Sequence, residues 1–276
     1  MRKPRLNIMV SYLILIFMGI FTLFPFLWTF MTSIKTEGQL FSIPPQLWPN
    51  PVTFGNYAAV LKDGSMMQFM YNTLFVTLVT TMLALLLAIP AAYGFSKFHY
   101  RFSGLLFAFV VSVRMVPPII LSIPYFLMIS ELGLLNTKTA LIIAYLPLEL
   151  TMMIWLMEGF FRQFPKELEE AADLDGLDTI GKLARIVVPI SLPSISISTL
   201  FGFLISWNEF MLASTLTRTS VSQTMPIFIA SSVTTFQIFW GKLTANGVLY
   251  MLPVILFTLF AQKGIVKGLT AGAIKE

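Results

Sequence analysis

Six apolar runs, near residues 8–31, 69–95, 103–129, 139–161, 191–214 and 243–262, alternate along the chain with shorter polar stretches. A crossing of the ~30 Å hydrocarbon core of a bilayer takes roughly 20 mostly apolar residues in a helix. In lipid the backbone must satisfy its own polar groups, and barrel strands would be only about 10 residues of alternating polarity. The pattern therefore predicts an all-α integral membrane protein, with six transmembrane helices forming one domain over residues 1–276. The first run follows a basic start and has no small-residue cleavage pattern, so it reads as an uncleaved span. Between the runs lie a Pro-rich loop from Phe41 to Lys62, a basic turn from Lys97 to Arg101, a short loop from Glu131 to Lys138, and one long charged loop over 162–189.

Composition agrees with a protein whose solvent is lipid. The 276 residues are 57% hydrophobic and 11% charged, with a mean hydropathy of +0.82, outside the range of water-soluble domains. A net charge of +5 raises the question of nucleic acid. The basic residues flank helices rather than forming a stripe among aromatics, so no nucleic-acid partner is expected. Cysteine is absent and His99 is the only histidine, which leaves no thiolate or histidine cluster for a metal or a catalytic triad.

Orientation follows from lysine and arginine, which accumulate in cytoplasmic segments. One set of alternate segments carries Arg2, Lys3, Arg5, Lys97, Arg101, Arg162, Lys166, Lys182, Arg185, Lys263, Lys267 and Lys275; the other holds Lys35, Lys62, Lys138, Arg218 and Lys242. Both termini and the loop 162–189 are thus expected inside, and the Pro-rich loop outside.

Within the long loop, Pro165 suits a first helical turn, Glu167, Glu169 and Glu170 favour the positive end of a helix dipole, and Gly176 can take the left-handed conformation that stops a helix. A short helix over 165–175 results. Leu168, Ala171, Ala172 and Asp175 recur at i, i+3, i+4 and i+7, which gives one small, nearly flat face able to enter a groove. Asp178 is placed to cap a second short helix over 179–187. From the residues alone, an ordinary interfacial loop with a solvated acidic face explains the pattern as well.

Glu170-Ala171-Ala172, Asp175-Gly176, Val188-Pro189 and Leu192-Pro193 resemble the EAA loop of bacterial ABC-importer permeases. Trp207-Asn208-Glu209-Phe210, Gly268 to Ala273, Pro118 to Tyr125 and Leu132 to Thr137 resemble the carbohydrate-uptake branch of that family, in particular its smaller maltose-type subunit. The resemblance covers nearly the whole chain. It implies the transmembrane domain of a type I ABC importer, paired with a second related permease, a homodimeric ATPase inside and a soluble solute-binding protein outside. It also implies that Glu169, Glu170, Ala171, Ala172, Asp175 and Gly176 belong to a coupling helix that docks on the ATPase, and that the C-terminal stretch runs along that partner. No cofactor is then expected on this chain, since ATP and Mg would bind the partner. Independently, Gly181-Lys182 and Gly241-Lys242 are each followed by Leu, so the chain carries no G-x-x-x-x-G-K-[ST] phosphate loop.

Ionisable groups inside a membrane are costly and are candidates for function. Arg114 falls near the middle of the third run and Glu149 near the middle of the fourth, as a structural ion pair or as a lining of the path. Asn208 and Glu209 in the fifth run are candidates for the translocation path or its gate, expected at helix contacts or a gate ahead of contact with the solute. Pro90, Pro117, Pro118, Pro124, Pro147 and Pro253 are expected to interrupt helices. A secondary transporter or channel would need ion-binding carboxylates at broken helices, for which only Glu149 and Glu209 are available. A membrane-embedded enzyme would lack the side-chain chemistry.

Overall fold

The structure, a computed structural model, describes residues 5–62, 64–98 and 100–273, with side chains over 9–62, 64–98 and 100–259. Arg2, Lys3, His99 and Lys275 therefore lie outside the described residues, as do the side chains of Arg5, Lys263, Lys267 and Gly268 to Ala273. In chain order the helices are α1 (Arg5–Ser33), α2 (Glu37–Leu40), α3 (Gly55–Lys62), α4 (Ser65–Lys97), α5 (Ser103–Ser112), α6 (Pro118–Glu131), α7 (Lys138–Arg162), α8 (Lys166–Leu174), α9 (Thr179–Lys182), α10 (Val188–Ile190), α11 (Leu192–Trp207), α12 (Met211–Leu216), α13 (Met225–Ala230) and α14 (Trp240–Ala273). A 3-10 turn, Val113–Met115, follows α5, and a π turn, Leu183–Val187, joins α9 to α10.

Among the described residues four helices are long and apolar enough to cross a bilayer, within α1, α4, α7 and α14, and two bent pairs raise the number to six. The third apolar run is not one straight helix: it bends by 97° between its halves, Ser103–Met115 and Pro118–Glu131. The tandem Pro117-Pro118 causes the break. Neither residue has an N–H, and a residue before proline is driven out of the helical region; Pro117 accordingly sits at φ −61°, ψ 137°. Pro90, Pro124, Pro147 and Pro253, expected to interrupt helices, lie inside continuous ones. A single proline removes one backbone bond, and a long membrane helix absorbs that loss. The fifth run starts after an 83° bend from Thr179–Ile190 and ends at Trp207, short of the expected 214. The Pro-rich loop also contains α3, where a continuous loop was expected.

The chain divides into two units. The first holds residues 1–66 and 229–252. In it the Pro-rich segment folds back on the end of α1. Asn56 Nδ2 donates to the Ser33 and Lys35 carbonyls at 2.9 Å each, the Gln39 side chain donates to the Pro51 carbonyl at 3.2 Å, and the Ser33 and Tyr57 hydroxyls meet at 2.6 Å.

The second unit, residues 67–228 and 253–276, is built around α7. Its core joins Ala84, Ala88 and Ala92 of α4 with Met153, Met157 and Phe161 of α7 and Ile195 of α11. Both triplets have i, i+4, i+8 spacing, so each forms one stripe on its helix. Small residues on one helix let bulky ones on another approach closely, the arrangement by which membrane helices associate without a hydrophobic drive between them. A second core joins Val76, Ile129, Leu141, Ala144 and Tyr145 with Leu212 and Leu216.

The tightest approach is α11 on α7. A Cβ built on Gly202 would stand 2.1 Å from Met153 Cε, 3.2 Å from Met153 Cγ and 3.4 Å from Glu149 Oε2. Gly202→Val is expected to destabilise the chain by about 1–3 kcal/mol through overpacking, and Met153→Ala in the same chain should recover part of it. Thermal unfolding in detergent reads both effects; an unchanged midpoint for the single variant would refute the close approach.

Candidate functional site

The loop 162–189 is helical on both sides of a tight turn. Phe164 is buried, Pro165 takes φ −58° and ψ 126°, and α8 starts one residue later with Glu167 and Glu169 in its first turn. At the other end the Leu177 N–H donates to the Ala172 carbonyl at 3.1 Å and the Gly176 N–H donates to the Asp173 carbonyl at 3.0 Å. This is the two-bond helix stop that needs a left-handed residue, and Gly176 supplies it at φ +75°. The Asp178 carboxylate accepts from the Gly181 N–H at 2.9 Å and so caps α9.

Nine residues are too few for a helix to stand alone in water, and α8 is held from outside itself. The Tyr93 hydroxyl donates to Glu169 Oε1 at 2.9 Å, and Lys97 Nζ lies 2.6 Å from Glu169 Oε2. One carboxylate thus receives two donors from the last turns of α4. The Lys97 and Glu169 side chains are only 16% and 13% exposed, so water screens the pair far less than a surface ion pair. Lys97 also lies over the Phe164 ring, 5.6 Å from its centroid. Lys182 Nζ reaches Asp173 Oδ1 at 2.8 Å and joins α9 to α8. At the end of α7 the Arg162 guanidinium pairs with Glu158, which is buried.

The expected flat face divides between two sides. Ala172 is 2% exposed and turned inward, while Glu170, Ala171 and Asp175 face out beside Leu168 and Leu174, the latter 90% exposed. The i, i+3, i+4, i+7 spacing defines a stripe but not its direction; the anchors on Glu169 and Asp173 turn α8 so that Ala172 faces the protein. The role of Glu169 as an anchor escaped the sequence reading, because Tyr93 and Lys97 lie more than seventy positions earlier. The only local signal was that both fall on one face at the basic end of the second apolar run.

The membrane candidates separate as well. Glu149 is fully buried on α7, where it accepts from the Ser206 hydroxyl of α11. Arg114 is exposed in the 3-10 turn. Among the described residues the ion pairs are Lys97–Glu169, Arg162–Glu158 and Lys182–Asp173, so of the two alternatives for Arg114 and Glu149 the ion pair does not form. The break before Pro117 is the reason, since it turns Arg114 out of a straight third span. Glu209 is buried in the gap between α11 and α12. Its two oxygens accept from the Leu212 and Ala213 N–H groups at 2.9 and 3.1 Å, and the Tyr145 hydroxyl reaches it from α7. It therefore caps a restarted helix and contacts a neighbouring one. Asn208 is exposed, and its amide donates to the Leu204 carbonyl of its own helix at 2.9 Å. Among the described residues no group of three or more His, Cys, Asp or Glu could hold a metal ion.

Known proteins resemble this chain along almost its full length. The sulfoquinovosyl glycerol transport system permease protein SmoH of Agrobacterium fabrum is 32% identical over 92% of this chain and 89% of its own. The trehalose/maltose transport system permease protein MalG of Thermococcus litoralis is 32% identical over 100% and 99%, and the trehalose transport system permease protein SugB of Mycobacterium tuberculosis is 31% identical over 92% and 93%. The fold matches a chain in the crystal structure of a bacterial ABC transporter that imports the acidic polysaccharide alginate, with a TM-score of 0.76 and 22% identity over 95% of this chain and 98% of that one. Residues 84–270, which contain α7, α8 and α11, match the family described as binding-protein-dependent transport system inner membrane component, and the chain belongs to that family.

Proposed function

We propose that the chain is a transmembrane permease subunit of an ATP-driven, binding-protein-dependent importer of a sugar or sugar-like solute in a bacterial inner membrane. The family and the sugar named in each of the three relatives support this reading, and nothing favours a secondary transporter or channel. The observation that carries the mechanism is the state of α8: it is anchored to α4 on one side through Glu169 and open on the other at Leu168, Glu170, Ala171, Leu174 and Asp175.

In this reading both termini and α8 are cytoplasmic, as the lysine and arginine pattern requires. The open side of α8 enters a cleft of a separate, homodimeric ATPase that binds ATP and Mg, and this chain contributes no catalysis. A second, related permease completes the path, and a solute-binding protein delivers the solute from outside. When the ATPase closes, α8 moves with it. Because Tyr93 and Lys97 hold Glu169, the displacement passes into α4 and from there to α7 and α11 through their shared core. An energetic difference between the docked contacts in the two states is what shifts the path between inward and outward access.

Ala171→Trp enlarges the open side without touching the anchors. Uptake in proteoliposomes of the assembled transporter is expected to fall at least about tenfold, the effect of losing roughly 1.4 kcal/mol of docking, with membrane insertion unchanged and less ATPase co-purifying. Normal uptake with normal ATPase association would refute docking through this side. The anchor is tested separately. Glu169→Lys is expected to leave the ATPase bound while uncoupling hydrolysis from transport, and adding Lys97→Glu to recover coupling, an interaction of about 0.5–3 kcal/mol for neighbouring groups. Equal uptake by the single and the double variant would remove Glu169 from the coupling route.

A further inference from the structure

The first unit contains a buried lysine with no carboxylate partner among the described residues. Lys35 follows the end of α1 and is 4% exposed. Its ammonium donates to the Gln46 carbonyl at 2.6 Å and lies 5.0 Å from the centroid of the Trp28 ring. A buried cation costs free energy unless it is paired; one carbonyl and one ring face use only part of the capacity of three N–H donors. The ammonium borders a cavity of about 150 Å³ lined by Trp28, Thr32, Lys35, Gln39, Gln46 and Trp240. The walls are fixed: Asn56 holds the Ser33 and Lys35 carbonyls, and the Gln39 amide is spent on Pro51.

The position of this cavity along the membrane normal follows from helix lengths. The apolar stretch Met9–Ser33 has 25 residues, about 37 Å of helix at ~1.5 Å per residue, which exceeds a ~30 Å core. Its end therefore reaches the headgroup layer. Trp240 is the first residue of α14, so an indole marks the same end of each long helix of this unit, as interfacial tryptophans do. At this depth the abundant anion is lipid phosphate. A volume of about 150 Å³ falls below the ~300–1,000 Å³ of pockets that enclose a whole small molecule, which points to a headgroup and not to the transported solute.

We propose that this cavity binds the phosphate of an anionic phospholipid headgroup, with Lys35 as the counter-cation and Trp28 and Trp240 as the walls. A headgroup without its own ammonium is preferred, because Lys35 would repel one. The site is independent of the direction of transport and of the partners of α8.

Native mass spectrometry of the full-length chain in uncharged detergent, titrated with dioleoyl phosphatidylglycerol or dioleoyl phosphatidylcholine, tests this. The wild-type chain is expected to bind phosphatidylglycerol more tightly than phosphatidylcholine. Lys35→Met should weaken phosphatidylglycerol roughly tenfold, the loss of one hydrogen bond between charged groups, while Lys35→Arg retains it. Trp240→Leu keeps the cation and removes one wall, and it should also weaken the lipid; this decides the matter if Lys35→Met does not fold. Unchanged phosphatidylglycerol affinity in Lys35→Met, or in Trp240→Leu where Lys35→Met is unfolded, overturns the proposal. Displacement of the lipid by millimolar inorganic phosphate overturns the lipid assignment in favour of a free anion.

Discussion

Glu169 is the point at which a nine-residue helix becomes part of the membrane domain. Its two oxygens take separate donors, Tyr93 and Lys97, one turn apart at the end of a 33-residue helix. Two directional contacts to one carboxylate fix both the position and the rotation of α8, which a single contact would not. The inward turn of Ala172 follows from that rotation, and so does the outward presentation of Ala171 and Leu174. The left-handed stop at Gly176 and the Asp173–Lys182 pair fix the far end. What remains is a small exposed surface whose geometry is set by the membrane helices behind it.

Inside the membrane the same economy of polar contacts applies. Glu149 meets Ser206 where α11 lies closest to α7, and Gly202 makes that approach possible. Unpaired carboxylates in lipid are expensive, so the hydroxyl partner on a second helix makes Glu149 a tie between α7 and α11. Glu209 has a comparable place at the gap between α11 and α12, where it accepts backbone N–H groups that a continuous helix would have satisfied. Both residues hold breaks and crossings in register, which a domain that changes shape requires of its hinges and its rigid parts alike.

The sequence disclosed much of this where the signal is local. Long apolar runs gave α1, α4 and α7 nearly at their observed limits and the start of α14, which continues past the apolar run to Ala273, and Gly176 and Asp178 announced the turn between α8 and α9 because their chemistry acts within a few residues. The features that escaped depend on partners far along the chain. A stripe on α8 carries no sign of which side faces the protein until Tyr93 and Lys97 are set beside it. Arg114 and Glu149 occupied similar depths on the assumption of straight spans, and the bend at Pro117-Pro118, which separates them, has a magnitude that no local pattern encodes. The anchoring role of Asn56, within a loop whose prolines suggested only extension, and the buried state of Lys35, just ahead of that loop, were hidden for the same reason.

The rigid link between α8 and α4 is open to direct measurement, since the chain has no cysteine to remove. Spin labels on cysteines introduced at the exposed positions Leu87 and Lys166, the latter on α8 but away from its open side, report the α4–α8 distance by pulsed electron resonance in the assembled transporter. A distribution that keeps its mean and width when ATP is added, while the distance from Lys166 to the second permease changes, is the result expected of a helix that moves as one body with its span. A shift of several ångströms or a clear broadening between Leu87 and Lys166 during the cycle would contradict it.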